Sequence, residues 1–516
     1  MFSRLTAVVL LLLIPLRGAA QAPVFQPISI PEHSYQGGWE HFVGGGVASF
    51  DCNGDAMPEL YAAGGSANAV LLINKSKRGG PILLVADTPE ALAITGVTGA
   101  YPLDIDSDGA LDLVILRVGP NLLLKGDGAC GFSPFDGIEV GHHDRWTTAF
   151  SATWEGAASL PTLAFGNYVD RNAPNGPFEA CDDNELYRPV AGGYPEALPF
   201  TPGYCPLSML FSDWGRHGRA DLRVSNDRHY YIRDGQEQMW AMEARPRLFG
   251  PEDGWRAYQI WGMGIASRDI SGDGLPEVYL TSMADQKMQS LSSADTPDFQ
   301  DATYAMGITA QRPYTGGDGR PSTGWHVSFG DVQNDGRDDI FVAKGNVDQM
   351  PGSAMEDPNN LLIQGADGVF EEFGAAAGVA SLARGRGAAL VDLNLDGRLD
   401  LAVVNRRAPM EVYQNVTPNT GHWISVDLSQ PAPNVNAIGA WIEVKLGARI
   451  IVRELTVGGG HAGGTLVPQH FGLGAHNGGA LRVIWPDGTS SGWHDFSADA
   501  LLRVTRAGDA LEIESY

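Results

Sequence analysis

The sequence predicts an all-β chain, a seven-bladed β-propeller followed by a small all-β, sandwich-like domain. Three observations carry this prediction. One acidic turn motif starts at residues 51, 104, 153, 213, 269, 331 and 392. Each well-preserved copy leads straight into a short apolar, strand-like run. Gly and Pro, 66 and 32 of the 516 residues, break the apolar runs too often for ordinary helices. A repeat of this length with several short strands is a propeller-blade signature. A lone four-stranded blade cannot bury both faces, so blades stack around an axis.

Taken in order, residues 1–20 read as a secretion signal. Arg4 gives the positive start, Leu5 to Leu16 the apolar run, and Gly18-Ala19-Ala20 the small residues before a cut at Gln21. The apolar run is shorter than the ~20 residues of a spanning helix. No membrane span is expected after removal, and a secreted or periplasmic location follows. The propeller is placed at 21–415 and the second domain at 416–516. In the first unit the strands are read at Val47–Phe50, Leu60–Ala63, Ala69–Ile73 and Ile82–Val85. In the tail, Trp441–Leu446 and Leu481–Trp485 have strand length and pattern.

The motif runs acid, x, polar, x, Asp, Gly, x, x, acid. Five copies are intact: Asp51, Asn53, Asp55 and Glu59; Asp104, Asp106, Asp108 and Asp112; Asp269, Ser271, Asp273 and Glu277; Asp331, Gln333, Asp335 and Asp339; Asp392, Asn394, Asp396 and Asp400. Calcium takes six to eight oxygen ligands in a flexible geometry, and a short loop can wrap it with oxygens from alternate residues. Positions 1, 3, 5 and 9 supply side-chain oxygens, and position 7 can add its carbonyl. About five Ca²⁺ sites are therefore expected, the second loop binding tightest with four carboxylates. Ala56 replaces the expected Gly in the first loop, and Gln333 is neutral in the fourth. Two eroded copies, Asp213–Asp221 and Thr153–Pro161, are assigned no metal.

These loops resemble the FG-GAP (VCBS-type) repeats of integrin-α-like propellers. The segments Phe165–Asp170, Tyr204–Trp214, Asp221–Asp227 and Asp357–Leu362 resemble the cartilage acidic protein family and its bacterial exported relatives. Beyond residue 416 the chain resembles the ASPIC/UnbV domain, through Gly421-His422-Trp423-Ile424, Ala437–Ala440, Gly458–His461, His470–Gly474 and Val483–Gly488. The resemblance implies an extracytoplasmic calcium-binding propeller. It implies no defined reaction.

A net charge of −26 argues against nucleic acid and anionic membranes as partners. Four cysteines in an exported chain favour disulfides. Cys181–Cys205 is the favoured pair, with Cys52–Cys130 by elimination. No hydrolase, zincin or nucleotide-binding motif is present. His142-His143-Asp144 reads as a structural or solvated loop. Gly460–Gly464 reads as a flexible loop, with His461, His470 and His476 as a weak candidate for a transition metal. Asp182, Asp183 and Glu185 could hold one more calcium. Two long insertions, 170–209 and 285–322, carry Tyr187, Tyr194, Phe200, Tyr204 and Tyr314, which either grip a ligand or pack the loops down. The functional expectation is a binding or adhesion module for a protein or polysaccharide. The alternative is a glycan-active hydrolase or lyase on the same scaffold.

Overall fold

The computed structural model describes residues 22–516, apart from 139, 175–178, 192, 228–231, 234, 285, 309–310, 315 and 509. Residues 1–20, which the sequence predicts to be a secretion signal, lie outside the described residues. The innermost strands of the seven blades are Val47–Phe50, Val97–Leu103, Arg145–Thr153, Pro206–Ser212, Gly262–Arg268, Gly324–Gly330 and Gly385–Val391. Each pairs antiparallel with the strand that follows its turn motif. In blade 1 the outer strands are Val70–Asn74 and Leu84–Ala86, one or two residues from their predicted places. The ring closes through its ends: Phe25–Pro27 pairs with Glu411–Asn415 and becomes the outer strand of blade 7.

Blades are held to one another by apolar clusters that straddle each junction. Met209, Phe211 and Trp240 of blade 4 pack with Ala149 and Leu186 of blade 3. Val327, Phe329 and Ile340 of blade 6 pack with Tyr279 and Met288 of blade 5. Residues that alternate along each strand thus bury both faces of every blade except at the rim. Cys52–Cys130 joins blade 1 to blade 2, and Cys181–Cys205 closes the insertion between blades 3 and 4. Both pairings are the predicted ones.

The tail folds as two four-stranded sheets. One has the order Gln469–Gly474, His422–Ser429, Ala500–Ala507, Ala510–Ser515, and the other Arg449–Glu454, Trp441–Leu446, Gly478–Ile484, His494–Ser497. Ile424, Val426, Phe471 and Val504 of the first sheet meet Ile442, Val444, Leu481 and Val483 of the second in one core.

The Gly-rich segment of the tail is not a flexible loop, contrary to expectation. It enters the axis of the propeller and fills it. Val457 O accepts from Ala152 N of blade 3 at 3.1 Å. Gly459 N donates to Met209 O of blade 4 at 2.7 Å, and Gly460 N to Ile265 O of blade 5 at 2.7 Å. His461 N donates to His326 Nδ1 of blade 6 at 3.0 Å. Gly464 N donates to Ala100 O of blade 2 at 3.0 Å. Thr465–Leu466 then pairs parallel with Ser49 and Phe50 of blade 1. Six blades therefore spend otherwise orphaned inner-edge groups on this one segment, as buried backbone requires.

Glycine is demanded on both sides of this contact. A Cβ on Gly99 would lie 1.7 Å from Ala462 O, and one on Gly46 1.8 Å from it. Gly460 has a φ of +57°, and a Cβ there would meet the His326 ring at 2.4 Å. His461 at the tip is fully buried. Its Nε2 accepts from Gly44 N at 3.2 Å, so its Nδ1 carries the proton donated to Met263 O at 3.1 Å. Burial pushes its pKa down to about 3, and the ring is neutral.

Gly99→Val is expected to expel the tail segment from the axis. Calorimetry should then resolve two transitions where the wild type shows one, and limited proteolysis should cut first between 457 and 466. A single unshifted transition would contradict the packing described.

Candidate metal centres and the face they build

Each turn motif connects the innermost strand to the second strand of its blade, so all seven turns lie at one end of the axis. The acid at position 1 organises the loop. Asp104 accepts from the backbone N–H of Asp108 at 3.1 Å and of Gly109 at 2.8 Å. Asp331 does the same with Asp335 and Gly336, at 3.0 and 2.6 Å, and Asp392 with Asp396 and Gly397, at 3.1 and 2.7 Å. Asp269 takes Gly272 and Gly274, at 2.8 and 2.9 Å. Asp51 takes Gly54 and Ala56, at 2.7 Å each. Position 6 has a left-handed φ of 81–92° at Gly109, Gly274, Gly336 and Gly397. Ala56 is forced into the same region at 69°, at a steric cost of about 1 kcal/mol.

Position 9 has a second role that spacing alone did not reveal. It is the first residue of the second strand, and its carboxylate accepts backbone N–H groups, through both oxygens in four of the five copies. Asp400 binds Leu393 N at 2.9 Å and Asn415 N at 2.8 Å. Asp339 binds Val332 N and Gln364 N, both at 3.0 Å. Asp112 binds Ile105 N at 2.8 Å and Gly126 N at 3.0 Å. Glu59 binds Cys52 N at 3.0 Å and Asn74 N at 3.4 Å, and Glu277 binds Ile270 N at 2.9 Å. One carboxylate thus staples the turn to the third strand. The oxygens of Asp112, Asp339 and Asp400 each keep a second lone pair for an ion.

These acids are buried at high electrostatic cost. Burial, with the neighbouring loop acids second to it, pushes Glu59, Asp112 and Glu277 up to about 7. Asp331, Asp339, Asp392 and Asp400 are raised for the same reasons. In the second loop, ligand oxygens of Asp104, Asp106 and Asp108 all lie within 4.8 Å of one another. The donors are carboxylate and amide oxygens, with one hydroxyl at Ser271. That set fits a hard divalent cation such as Ca²⁺. Positive side chains flank three loops: Lys125 reaches Asp106 and Asp108, Arg337 reaches Asp335, and Arg398 reaches Asp396.

In the eroded turns the chain's own side chains meet the remaining acids. In blade 4, Trp214 Nε1 and Arg219 Nε donate to the two oxygens of Asp221, each at 3.0 Å. In blade 3, Arg188 pairs with Glu155 at 2.9 Å. The further calcium expected near Cys181 finds its acids taken in the same way. Arg145 lies 2.6 Å from Asp182, and His143 lies 2.8 Å from Glu185. The histidines of the tail do not converge on a metal: His461 is held in the axis, and His470 Nε2 donates to Gly397 O at 3.1 Å.

The tail domain sits on this same face. Gly421 N donates to Gln333 O at 3.0 Å, and Gly474 N to Asn334 O at 2.8 Å. Asn434 N donates to Ser107 Oγ at 3.0 Å. A Cβ on Gly397 would strike the Trp423 ring at 2.0 Å. Arg453 grips Asp338 with two bonds of 2.7 and 3.0 Å, both side chains buried. Glu443 pairs with Arg216 at 2.5 Å. Glu454 accepts from Asp213 N at 2.6 Å. The turns are therefore the platform on which the second domain rests.

Strands alternate in direction, so the described parts of the connections 168–183 and 302–323 lie at the opposite end. The aromatic residues of the strands Asn184–Tyr187 and Leu198–Phe200 and of the turn between them pack inward. Tyr187 is buried, Phe200 stacks on Trp240 at 4.3 Å, and Tyr194 Oη donates to Pro161 O at 2.6 Å. Tyr314 is 36% exposed.

Fold and tail together define a class, a propeller followed by a small all-β domain, and within that domain residues 430–510 match the family model for ASPIC and UnbV. The chain is also similar to cartilage acidic protein 1. Identity is 30% over 164 residues with the human protein and 30% over 157 residues with the mouse protein. Each match covers 30% of this chain, and the chain spans 22% of the length of either relative. Among solved structures, the BBS1N chain of its complex with ARL6DN aligns over 78% of this chain and 99% of its own, with a TM-score of 0.45 and 10% identity.

Two outcomes follow from the loop electrostatics. Folded-state values near 7 exceed the ordinary 3.8–4.5 of these acids. The folded form then binds more protons than the unfolded form over that window. Metal-stripped protein should lose stability as pH rises from about 4 to about 7, and calcium should restore more at pH 7 than at pH 5. Melting curves at both pH values, with and without calcium, check this. Ala56→Gly should raise stability by up to about 1 kcal/mol, read as a shift in denaturant midpoint.

Proposed function

We propose that the chain is an exported, calcium-binding propeller that acts as a binding or adhesion module for a protein or polysaccharide. Calcium would occupy the five intact loops and hold the ring's lower face flat enough to seat the tail. The observation that carries this reading is the division of the two faces. One end of the ring is covered by the molecule's own second domain. The other end is not covered by that domain, and it is the face left for a partner. Export accords with two disulfides, which persist in oxidising compartments. Among the described residues no helix is long and apolar enough to cross a membrane.

In this reading the ion is structural. It would neutralise buried carboxylates, whose oxygens already hold the backbone of the loop and of the third strand. This chain's residues do the rest: position 1 winds the loop, position 9 ties it to the blade, and Asn74, Asn415 and Gln364 carry the order to the next blade. Their side-chain amides donate to Leu393 O at 2.7 Å, Val332 O at 2.9 Å and Ile270 O at 3.3 Å.

Excess chelator should lower the melting temperature, because an ion that binds the folded form alone stabilises it by about 2.7 kcal/mol per site at a hundredfold excess over Kd. Metal analysis of the purified protein should find close to five calcium ions. A screen against glycans and extracellular proteins should find binding without turnover. Unchanged melting would remove calcium from the account, and turnover of a glycan would replace the binding reading with the enzymatic one.

A further inference from the structure

At the end of the axis away from the metal turns lies a cavity of about 340 Å³, within the size range of small-molecule sites. Its floor is Trp325, Met263 and Met283, all buried, and Trp39, 52% exposed, stands at its rim. The tip of the tail segment lies just beneath, with the His461 ring 5.0 Å from that of Trp325.

One wall is formed by Arg406 and Arg407 with Asp348 between them, and with Arg384 and Arg386 behind it this wall holds four guanidinium groups against one carboxylate. Asp348 alone faces Arg384, Arg406 and Arg407, at 3.3, 3.8 and 3.0 Å. Behind them the buried guanidinium of Arg386 donates to the carbonyls of Phe42, Gly385, Asn346 and Val347. Burial, and then repulsion from Arg406, holds Arg386 well below its ordinary pKa. Arg406 is 1% exposed, and its Nε has no hydrogen-bond partner among the described residues. Asp227 also lines the cavity as a carboxylate, accepting from Tyr168 Oη at 2.6 Å. A cationic wall beside an apolar floor stands out on a chain of net charge −26. It calls for a ligand with one negative group and an apolar body.

We propose that this mouth pocket binds a small carboxylic acid whose apolar or aromatic body rests on Trp325 and the methionines while its carboxylate meets Arg406 and Arg407. Trp39 closes over the body from the rim. The inference goes beyond the adhesion reading: it needs neither calcium nor a macromolecular partner.

The test is calorimetric titration of the full-length protein, monitored in parallel by tryptophan fluorescence. The probes are indole-3-acetate, 3-phenylpropionate and octanoate, each against its primary amide. At least one acid should bind with Kd below about 1 mM, and its amide should bind about tenfold more weakly or not at all. Trp39→Ala and Arg407→Gln change partly exposed residues and should keep the wild-type melting temperature. Each should weaken the acid about five- to tenfold. Equal binding of acid and amide, no binding by any acid, or wild-type affinity in both variants would overturn the proposal. So would binding by a peptide's C-terminal carboxylate alone. Metal content measured on the same sample reports on the calcium reading separately.

Discussion

A closed ring of blades has an inner edge, and that edge is the constraint the rest of the molecule answers. The inner strands present unpaired N–H and C=O groups to a narrow axis. Side chains cannot fill so narrow a space without clash, and the chain solves the problem with backbone. Val457 to Leu466, borrowed from the second domain, threads the axis and pairs in turn with six blades. Gly46 and Gly99 on the wall, and Gly458 to Gly460 on the segment, are the residues that let two backbones approach this closely. The propeller and its tail are therefore one folding problem: neither completes its hydrogen bonding alone.

The acidic turns serve the same end from outside. They set the pitch from first to second strand, reach the neighbouring blade through side-chain amides, and carry the tail through Asn334, Asp338 and Gly397. Their buried carboxylates concentrate negative charge where the two domains meet. Cations are supplied by the chain at the eroded turns, as Arg219 at Asp221 and Arg188 at Glu155. Three of the intact turns carry such partners as well, Lys125 at Asp106 and Asp108, Arg337 at Asp335 and Arg398 at Asp396.

Much of this was legible in the sequence. The repeat gave the blades because a fixed acid–glycine frame forces the same turn each time, and Trp441–Leu446 was read to its ends because alternation and flanking turns agree. Both disulfides followed from the cysteine count and loop length. The ring closure through Phe25–Pro27 was not legible, since three residues carry no repeat signal. The axial segment was misread because Gly460–Gly464, taken locally, has the composition of a mobile loop. Its order comes from backbone groups and one histidine ring scattered between residues 44 and 326. Position 9 as a two-strand staple, and the arginine wall at the mouth, likewise depend on partners far away in sequence, which spacing does not encode. The aromatic residues of the insertions could be read either way until their burial was seen.

The most direct test of the account is a crystal structure of the protein grown with calcium, with anomalous diffraction used to locate the ions. The account predicts an ion in each of the five intact turns, none in the turns at Glu155 and Asp213, and His461 in the axis between Gly44 and Met263. Empty intact turns, or a tail domain docked anywhere other than on the face those turns build, would contradict it.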